Sequence, residues 1–317
     1  MNTTRGVAAA LMTATCVAAV AQAQTWPERA IRVVTTEAAG AGDLSARLLA
    51  QHLPASLGRP LVVDNRGGGV LAVEIVARAA PDGYTLLIYG GTLWLGPLLM
   101  SEASWDPTRD FAPITAAVRV PNVVTVHPSL PVKTVRELIA LARARPGELN
   151  YSTGSPGASS HLAGELFRSL AKVSVVRVPY KGAASAMTAL AGGQVQFMFP
   201  TVAAAAPYAK SGRLRPLAIT TAAPSPLAPG LPTVAATLPG YESSSLFGVF
   251  APAGTPPAIV AQLNREIARV LNLPEVKERL LATGAEVVAN ASAEFATMMR
   301  ADVAKWERIV RETGLRE

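Results

Sequence analysis

Two loops rich in glycine and hydroxyl residues each follow a short apolar segment and precede a helical pattern. The first runs from Thr35 to Asp43 and the second from Ser152 to Ser160. In a parallel sheet such loops lie at the carboxyl ends of the strands, where ligands bind. The N–H groups that begin the following helix favour a carboxylate or a phosphate. One such loop is more typical of an ordinary strand–helix turn, but a pair in opposite halves of the chain favours a ligand site.

Neither loop has a nucleotide-binding signature. Residues 40–42 lack the third glycine of a dinucleotide fingerprint, and the glycines at 67–69 are not followed by Lys-Ser or Lys-Thr. Both loops also lack Lys and Arg. An anion held there would depend on backbone N–H groups, hydroxyls and water.

Residues suited to catalysis are few. The three histidines are His52, His127 and His161. Ser160 and His161 are adjacent, so their side chains should point in different directions, and no Gly-x-Ser-x-Gly elbow is present. No His or carboxylate cluster has metal-ligand spacing. We therefore expect no enzyme, no metal and no cofactor, with His161 as a helix-capping or buried hydrogen-bonding residue. A hydrolase using Ser159 or Ser160 beside His161 is the remote alternative.

The N-terminus has the pattern of a secretory signal peptide. Arg5 is the only charged residue before Glu28, and an apolar run leads to the small residues Ala21 and Ala23. This pattern predicts that residues 1–23 are a signal peptide, cleaved after Ala23, that directs the protein to the periplasm. The run is too short to span a bilayer. Since the single cysteine, Cys16, lies in this run, the remaining chain has no thiol for disulfides or metal binding.

Composition indicates a folded protein with a substantial core. Half of the residues are hydrophobic, 16% are charged, and the net charge is +7. The basic residues are scattered rather than clustered, which together with the export signal disfavours nucleic-acid binding. A basic surface of this kind favours mild attraction of anionic solutes.

Apolar segments of strand length alternate with helical patterns along the chain. Strands are predicted at 31–34, 61–63, 84–88, 123–126, 149–152, 175–178, 195–199, 217–220 and 247–250. Helices are predicted at 44–57, 70–79, 134–144, 159–171, 183–191, 255–270, 275–282 and 292–313. This order indicates an α/β protein with mostly parallel sheets covered by helices on both faces.

The order of elements favours two lobes with one inserted in the other. We expect residues 24–123 and 245–317 to form lobe 1 and residues 124–244 to form lobe 2, with a hinge near 120–124 and 244–247. The alternative is two sequential domains divided at the proline-rich stretch 224–239. Insertion is favoured because the C-terminal segment, with one strand and three helices, has too few strands for its own sheet.

Short motifs spread along nearly the whole chain carry a family resemblance. They read PERAIRVV (27–34), DLSARLL (43–49), VDNRG (63–67), APDGYTL (80–86), DFAP (110–113), LNY (149–151), SHLAGELF (160–167), VPYKG (178–182), GGQV (192–195), LPTV (231–234) and APAGTP (251–256). With these motifs the chain resembles the solute-binding proteins of tripartite tricarboxylate transporters, also called the Bug family.

The resemblance implies a two-lobed periplasmic-binding-protein fold of type II that binds a small carboxylated metabolite in the cleft between the lobes. The implied partners are membrane transporter subunits, and a sensor that signals to a receptor kinase is the alternative. We expect a monomer. The ligand contacts implied for this sequence are Glu37, Ala38, Ala39, Gly40, Ala41, Gly42, Asp43, Gly90, Gly91, Thr92, Thr153, Gly154, Ser155, Gly157, Ala158, Ser159, Ser160, Lys181, Gly182, Pro200 and Thr201.

Three of these positions differ from the family pattern. Glu37 stands in a first loop that usually begins Pro-Phe, Ala158 replaces a hydroxyl residue, and Pro200 replaces a polar residue that is often Asp. Glu37 is either a negative group near the cleft or a solvent-facing side chain favoured near a helix N-terminus. Because each change falls on an implied contact, the identity of the ligand does not carry over from the family.

Overall fold

Two β-sheets, each flanked by helices, organise the chain. The computed structural model describes residues 26–36, 40–66, 70–100, 103–154 and 157–313. Its strands are β1 (Ile31–Thr35), β2 (Leu61–Asn65), β3 (Thr85–Gly90), β4 (Phe111–Pro121), β5 (Val123–Val126), β6 (Asn150–Thr153), β7 (Val176–Pro179), β8 (Phe197–Met198), β9 (Arg215–Ile219), β10 (Ser244–Pro252) and β11 (Glu286–Val287).

Helices follow most of the strands. They are α1 (Ala41–His52), α2 (Pro54–Leu57), α3 (Leu71–Ala77), α4 (Thr92–Leu99), α5 (Val135–Ala144), α6 (Ser159–Ala171), α7 (Ala183–Ala191), α8 (Val202–Lys210), α9 (Pro257–Leu271), α10 (Pro274–Ala282) and α11 (Ser292–Thr313). Within the described ranges, no helix is both long enough and apolar enough to cross a membrane.

The two sheets are mixed. In the first, with strand order β11-β4-β10-β3-β1-β2, β1 is parallel to β2 and β3, whereas β10 is antiparallel to β3 and β4. In the second, with order β7-β6-β8-β5-β9, β6 is parallel to β7 and β8, whereas β5 is antiparallel to β8 and β9. We call the first sheet with its helices the first lobe and the second sheet with its helices the second lobe.

The expectation of mostly parallel sheets was therefore wrong in this detail, for a topological reason. The chain leaves the first sheet along β4 and enters the second along β5, with Asn122 between them. It leaves the second sheet along β9 and returns along β10. The strands that carry the chain out of a lobe and back into it therefore run in opposite directions. As a result, β4 pairs antiparallel with β10 in the first sheet, and β5 pairs antiparallel with β9 in the second.

The buried core continues from one lobe to the other. One cluster includes Trp94, Phe250 and Phe295 of the first lobe together with Tyr151 and Phe197 of the second. The other face of the first sheet packs α1 and α9 through a separate buried cluster. The C-terminal helix α11 packs on α4 and β4 of the first lobe and also contacts α6 of the second. Packing therefore links the two lobes through α11 as well as through the strands.

Candidate functional site

A cleft between the lobes brings together segments that are far apart in sequence. It has a volume of about 230 Å³. This is far more space than one ordered water needs, so the cleft has room for a small organic molecule. We call it the interlobe cleft. Its lining comprises Thr36, Tyr89, Gly90, Gly91, Thr92, Trp94, Leu95, Gly157, Ala158, Ser159, Leu162, Ser243, Ser244, Ser245, Leu246, Phe247, Asp302, Lys305 and Trp306.

A second cavity adjoins this cleft within the second lobe. It has a volume of about 490 Å³ and shares Ala158 and Ser159 with the cleft. We call it the second-lobe chamber. The helices α6, α7 and α8 all begin at its wall, and their N-termini contribute partial positive charge there. Its lining comprises Asn122, Gly154, Ala158, Ser159, Ser160, Gly182, Ala183, Ala184, Met187, Thr188, Met198, Pro200, Thr201, Ala204 and Tyr208.

The start of α6 lies between the two cavities and is held by its own first turn. The Gly154 N–H donates to Ser160 Oγ at 3.1 Å, and the Gly157 N–H donates to His161 Nδ1 at 3.1 Å. Gly157 has φ +72°, a left-handed conformation that glycine adopts without strain. Ala158 is the N-cap and has no side-chain acceptor. The first-turn N–H groups of α6 are therefore not covered by a capping side chain.

Asn122, the residue between β4 and β5, is fully buried at the floor of the chamber. Its side-chain N–H groups donate to Ser159 Oγ at 3.2 Å and to Phe199 O at 2.7 Å. Its Oδ1 atom is buried without a hydrogen-bond partner among the described residues, and so is Thr153 Oγ1 at the end of β6. Buried polar atoms of this kind are rare in folded proteins and call for an explanation such as a ligand or water.

The first-lobe loop is held by charged groups. Asp43 is buried, and its carboxylate accepts from Arg47 Nε at 3.0 Å and from Asn65 Nδ2 at 2.8 Å. Asn65 Nδ2 also donates to Thr36 O at 2.9 Å. These bonds join α1 to the end of β2 and fix Thr36, which lines the cleft. Asp43 thus positions the loop through its neighbours and is not itself part of the lining.

Helix α11 supplies the two charged side chains on the described lining of the cleft, Asp302 and Lys305. Lys305 Nζ lies 2.8 Å from Asp302 Oδ1, and Trp94 Nε1 donates to Asp302 Oδ2 at 2.9 Å. No local signal in the sequence marks this pair as part of a site, because an Asp and a Lys three residues apart on an amphipathic helix are more typical of a solvent-facing surface. Nearby, burial raises the pKa of the Tyr89 hydroxyl above its usual value, so Tyr89 is neutral at physiological pH.

Most of the chain matches one known protein family. A family model described as the tripartite tricarboxylate transporter family receptor matches residues 45–315. The chain belongs to this receptor family. It is 36% identical to protein BugT of Bordetella pertussis over 304 residues, which cover 94% of this chain and 93% of BugT.

Solved structures of similar proteins confirm the two-lobed fold of the receptor. The structure of R. palustris Rpa4515 with adipate is 38% identical, has a TM-score of 0.76, and is matched over 91% of this chain and 98% of that one. MatC from Rhodopseudomonas palustris with bound malate is 30% identical, with a TM-score of 0.71 and coverage of 90% and 100%. The predicted family and fold class, a periplasmic-binding-protein fold of type II, are confirmed.

The receptor's cavities contain many of the residues implied by the sequence. Gly90, Gly91, Thr92 and Gly157 line the cleft, whereas Gly154, Ser160, Gly182, Pro200 and Thr201 line the chamber, and Ala158 and Ser159 line both. Gly40, Ala41, Gly42, Asp43, Thr153 and Lys181 line neither cavity. Glu37, Ala38, Ala39 and Ser155 lie outside the described residues, and a ligand contact there stays a prediction.

The geometry of the receptor does not favour the hydrolase alternative. Ser160 Oγ accepts from Gly154 N, and Ser159 Oγ accepts from Asn122 Nδ2. The ring nitrogens of His161 contact Gly157 N and the Arg177 guanidinium, so His161 orders the loop as the sequence suggested. Among the described residues, no cluster of His, Cys, Asp or Glu can hold a metal ion.

Proposed function

We propose that this protein is a periplasmic solute-binding receptor that captures a small carboxylated metabolite between its lobes for a tripartite tricarboxylate-type transporter. One observation carries the proposal. Thr36 and residues 90–92 of the first lobe line the same cleft as residues 157–159 of the second lobe. A ligand in this cleft contacts both lobes at once, as a receptor that closes on its ligand requires.

The ligand carboxylate binds at the start of α6. Ala158 leaves the first-turn N–H groups uncapped, and the hydroxyls of Ser159 and Ser160 are already held by Asn122 and Gly154. A helix N-terminus with fixed donors favours an anion without a salt bridge. The N-termini of α7 and α8 on the chamber wall add to this preference.

We further propose that the two lobes divide where the sequence predicts. Residues 24–123 and 245–317 form lobe 1, residues 124–244 form lobe 2, and the hinge lies near 120–124 and 244–247. The crossings of the chain at Asn122 and at the start of β10 support this division. A ligand that contacts both lobes shifts the population toward the closed form only by its differential affinity for that form.

Similar proteins support the ligand class and the compartment. The relatives include structures with adipate and with malate, both small dicarboxylates, and a protein described as periplasmic binding protein BugD. The N-terminal pattern supports export with removal of residues 1–23. We assign delivery to a membrane transporter on family membership.

A thermal-shift panel of mono-, di- and tricarboxylates tests the proposal, followed by calorimetry on the acids that stabilise the protein. A ligand at 100 times its Kd adds about 2.7 kcal/mol, which raises the Tm by several degrees. No stabilisation by any small carboxylic acid would contradict the proposal.

The variant Ala158→Asp tests the position of the carboxylate. An Asp at the N-cap stabilises a helix, so the variant should fold. It places its own carboxylate on the N–H groups of α6, and we expect about a 100-fold loss of affinity. Ala158→Ser is the matched control, since it adds an uncharged cap and should weaken binding far less. Equal affinities of the Asp variant and the native protein would exclude this site.

A further inference from the structure

The interlobe cleft has a single pair of charged side chains on its described lining. These are Asp302 and Lys305, both on α11, and every other described lining residue is uncharged. The adjacent residues 37–39 and 155–156, Glu-Ala-Ala and Ser-Pro, contain no Lys or Arg. Lys305 is therefore the cation placed to distinguish a ligand with two negative charges from a ligand with one.

Asp302 is the fixed member of this pair. Its Oδ2 accepts from Trp94 Nε1, and Trp94 is buried with its ring edge-on to Phe295 at 6.0 Å between centroids. Its Oδ1 accepts from Lys305. Two donors from different helices thus hold the Asp302 carboxylate in one place.

Lys305 is the member that can move. Its side chain is 30% exposed, and besides Asp302 its Nζ lies 3.4 Å from Glu242 O. Lysine carries a point charge on a flexible four-carbon stem, so its ammonium can turn toward a new partner. An ion pair with this exposure contributes little to stability, and exchanging one carboxylate for another is therefore inexpensive.

The Asp302–Lys305 pair lies on the same cleft as the start of α6. Lys305 belongs to a helix that also contacts α6, and the start of α6 lines the same cleft. A ligand with one carboxylate on the α6 N-terminus and another on Lys305 would connect the second lobe to the first. When the native pair is intact its charges cancel, so a monocarboxylate gains nothing from it.

We propose that Lys305 receives the second carboxylate of a dicarboxylate ligand, in exchange for Asp302, and thereby determines the specificity of the cleft for dianions. This inference rests on the proposed carboxylate-binding function and assigns the ligand class within it. Asp302 competes with the ligand for Lys305, which favours ligands whose second charge reaches the ammonium.

The experiment compares matched mono- and dicarboxylates of three to seven carbons, such as hexanoate and adipate, by calorimetry. The measured quantity is the ratio of the dicarboxylate affinity to the monocarboxylate affinity at equal chain length. Lys305→Met should lower this ratio at least about 10-fold, as expected for loss of a charge-assisted hydrogen bond. Asp302→Asn should raise the ratio, because Lys305 then has no competing carboxylate.

The double variant Asp302→Asn with Lys305→Met removes the repulsion that an uncompensated Asp302 would exert on any anion. We expect the ratio to stay low in this variant. Lys277→Met, a change on the exposed side of α10, is the control for loss of a positive charge. Circular dichroism of all variants separates binding from folding.

The outcomes separate the inference from the proposed function. The inference is wrong if the native receptor prefers monocarboxylates. It is also wrong if Lys305→Met, alone and combined with Asp302→Asn, lowers the monocarboxylate and dicarboxylate affinities by the same factor. In both cases carboxylate binding itself stands. If no acid binds the native receptor, the proposed function itself fails.

Discussion

The two loops that open onto the cleft have equivalent places in the two sheets, but different kinds of bond hold them. In the second lobe, Gly154 and Gly157 donate to Ser160 and His161, partners only six and four residues further along the chain. In the first lobe, Thr36 is held by Asn65, 29 residues away on the next strand. The shape of the second loop is thus encoded within the loop and its helix, whereas that of the first depends on correct pairing of β1 with β2.

The two loops also differ in charge. In the second loop, the Gly154–Ser160 and Asn122–Ser159 bonds join neutral, largely buried groups. In the first loop, the buried Asp43 carboxylate is paired with an Arg47 side chain that is 56% exposed. Salt screens exposed ion pairs but has little effect on buried neutral hydrogen bonds. We therefore expect the first loop to loosen as ionic strength rises and the second to keep its form.

Matched glycine substitutions in α6 and α1, the helices that follow the two loops, should give the largest difference in the free energy of unfolding. A Cβ atom at Gly164 in α6 would lie 2.2 Å from Tyr151 Cε2, and Tyr151 is fully buried. A Cβ at Gly42 in α1 would meet Thr35 Oγ1 at 3.1 Å, which a small adjustment relieves. We expect Gly164→Ala to lower the free energy of unfolding by about 2–3 kcal/mol through overpacking. Gly42→Ala should change it by less than about 1 kcal/mol, since alanine favours the helix.

Urea unfolding followed by circular dichroism measures both changes. The rigidity of the Tyr151 site is the reason for the difference, because its ring stacks on Phe197 at 5.4 Å between centroids and its hydroxyl donates to Glu165. Equal effects of the two alanines would show that the second lobe adjusts as easily as the first.

Periodicity predicted most elements of the fold with good accuracy. The predicted helices 159–171, 183–191 and 292–313 have the observed bounds of α6, α7 and α11. The elements β4, α4 and α8 were missed for physical reasons. Helix α4 is apolar on all sides and contains Pro97, and α8 is largely alanine with Pro207, so neither shows a polar and an apolar face. Strand β4 contains Pro113 and lacks strict alternation.

The candidate site was predictable only where local sequence determines it. Glycines and hydroxyl residues next to a strand end marked residues 157–160, and the family resemblance added residues 90–92; the structure places both segments on the cavities. Asp302, Lys305 and Asn122 carry no local signal. They reach the site because α11 packs back on the first lobe and because β4 passes directly into β5. Such contacts follow from the topology and not from the residues beside them.

Asp43→Ala tests the charged anchor of the first loop. The variant removes a carboxylate that accepts from Arg47 and Asn65, and we expect a loss of about 2 kcal/mol in the free energy of unfolding. Thr36 loses part of its support, so ligand affinity should also fall by about 10-fold. Glu266→Ala is the matched control, because Glu266 pairs with Arg269 at 3.0 Å on α9. The Tm difference between Asp43→Ala and the native protein should become smaller in about 0.5 M salt. A Tm difference that does not depend on salt would contradict the claim that charge holds the first loop.

Ser160→Ala makes the corresponding change in the second loop and should have the smallest effect. It removes the neutral acceptor of the Gly154 N–H, which costs about 1 kcal/mol in the free energy of unfolding. Ser185→Ala, which removes an exposed hydroxyl bonded to Gly182 O at 3.0 Å on α7, is the control and should have less effect. The loss caused by Ser160→Ala should be the same at low and high salt, because no ion pair is broken. A salt-dependent loss equal to that of Asp43→Ala would show that both loops are held in the same way.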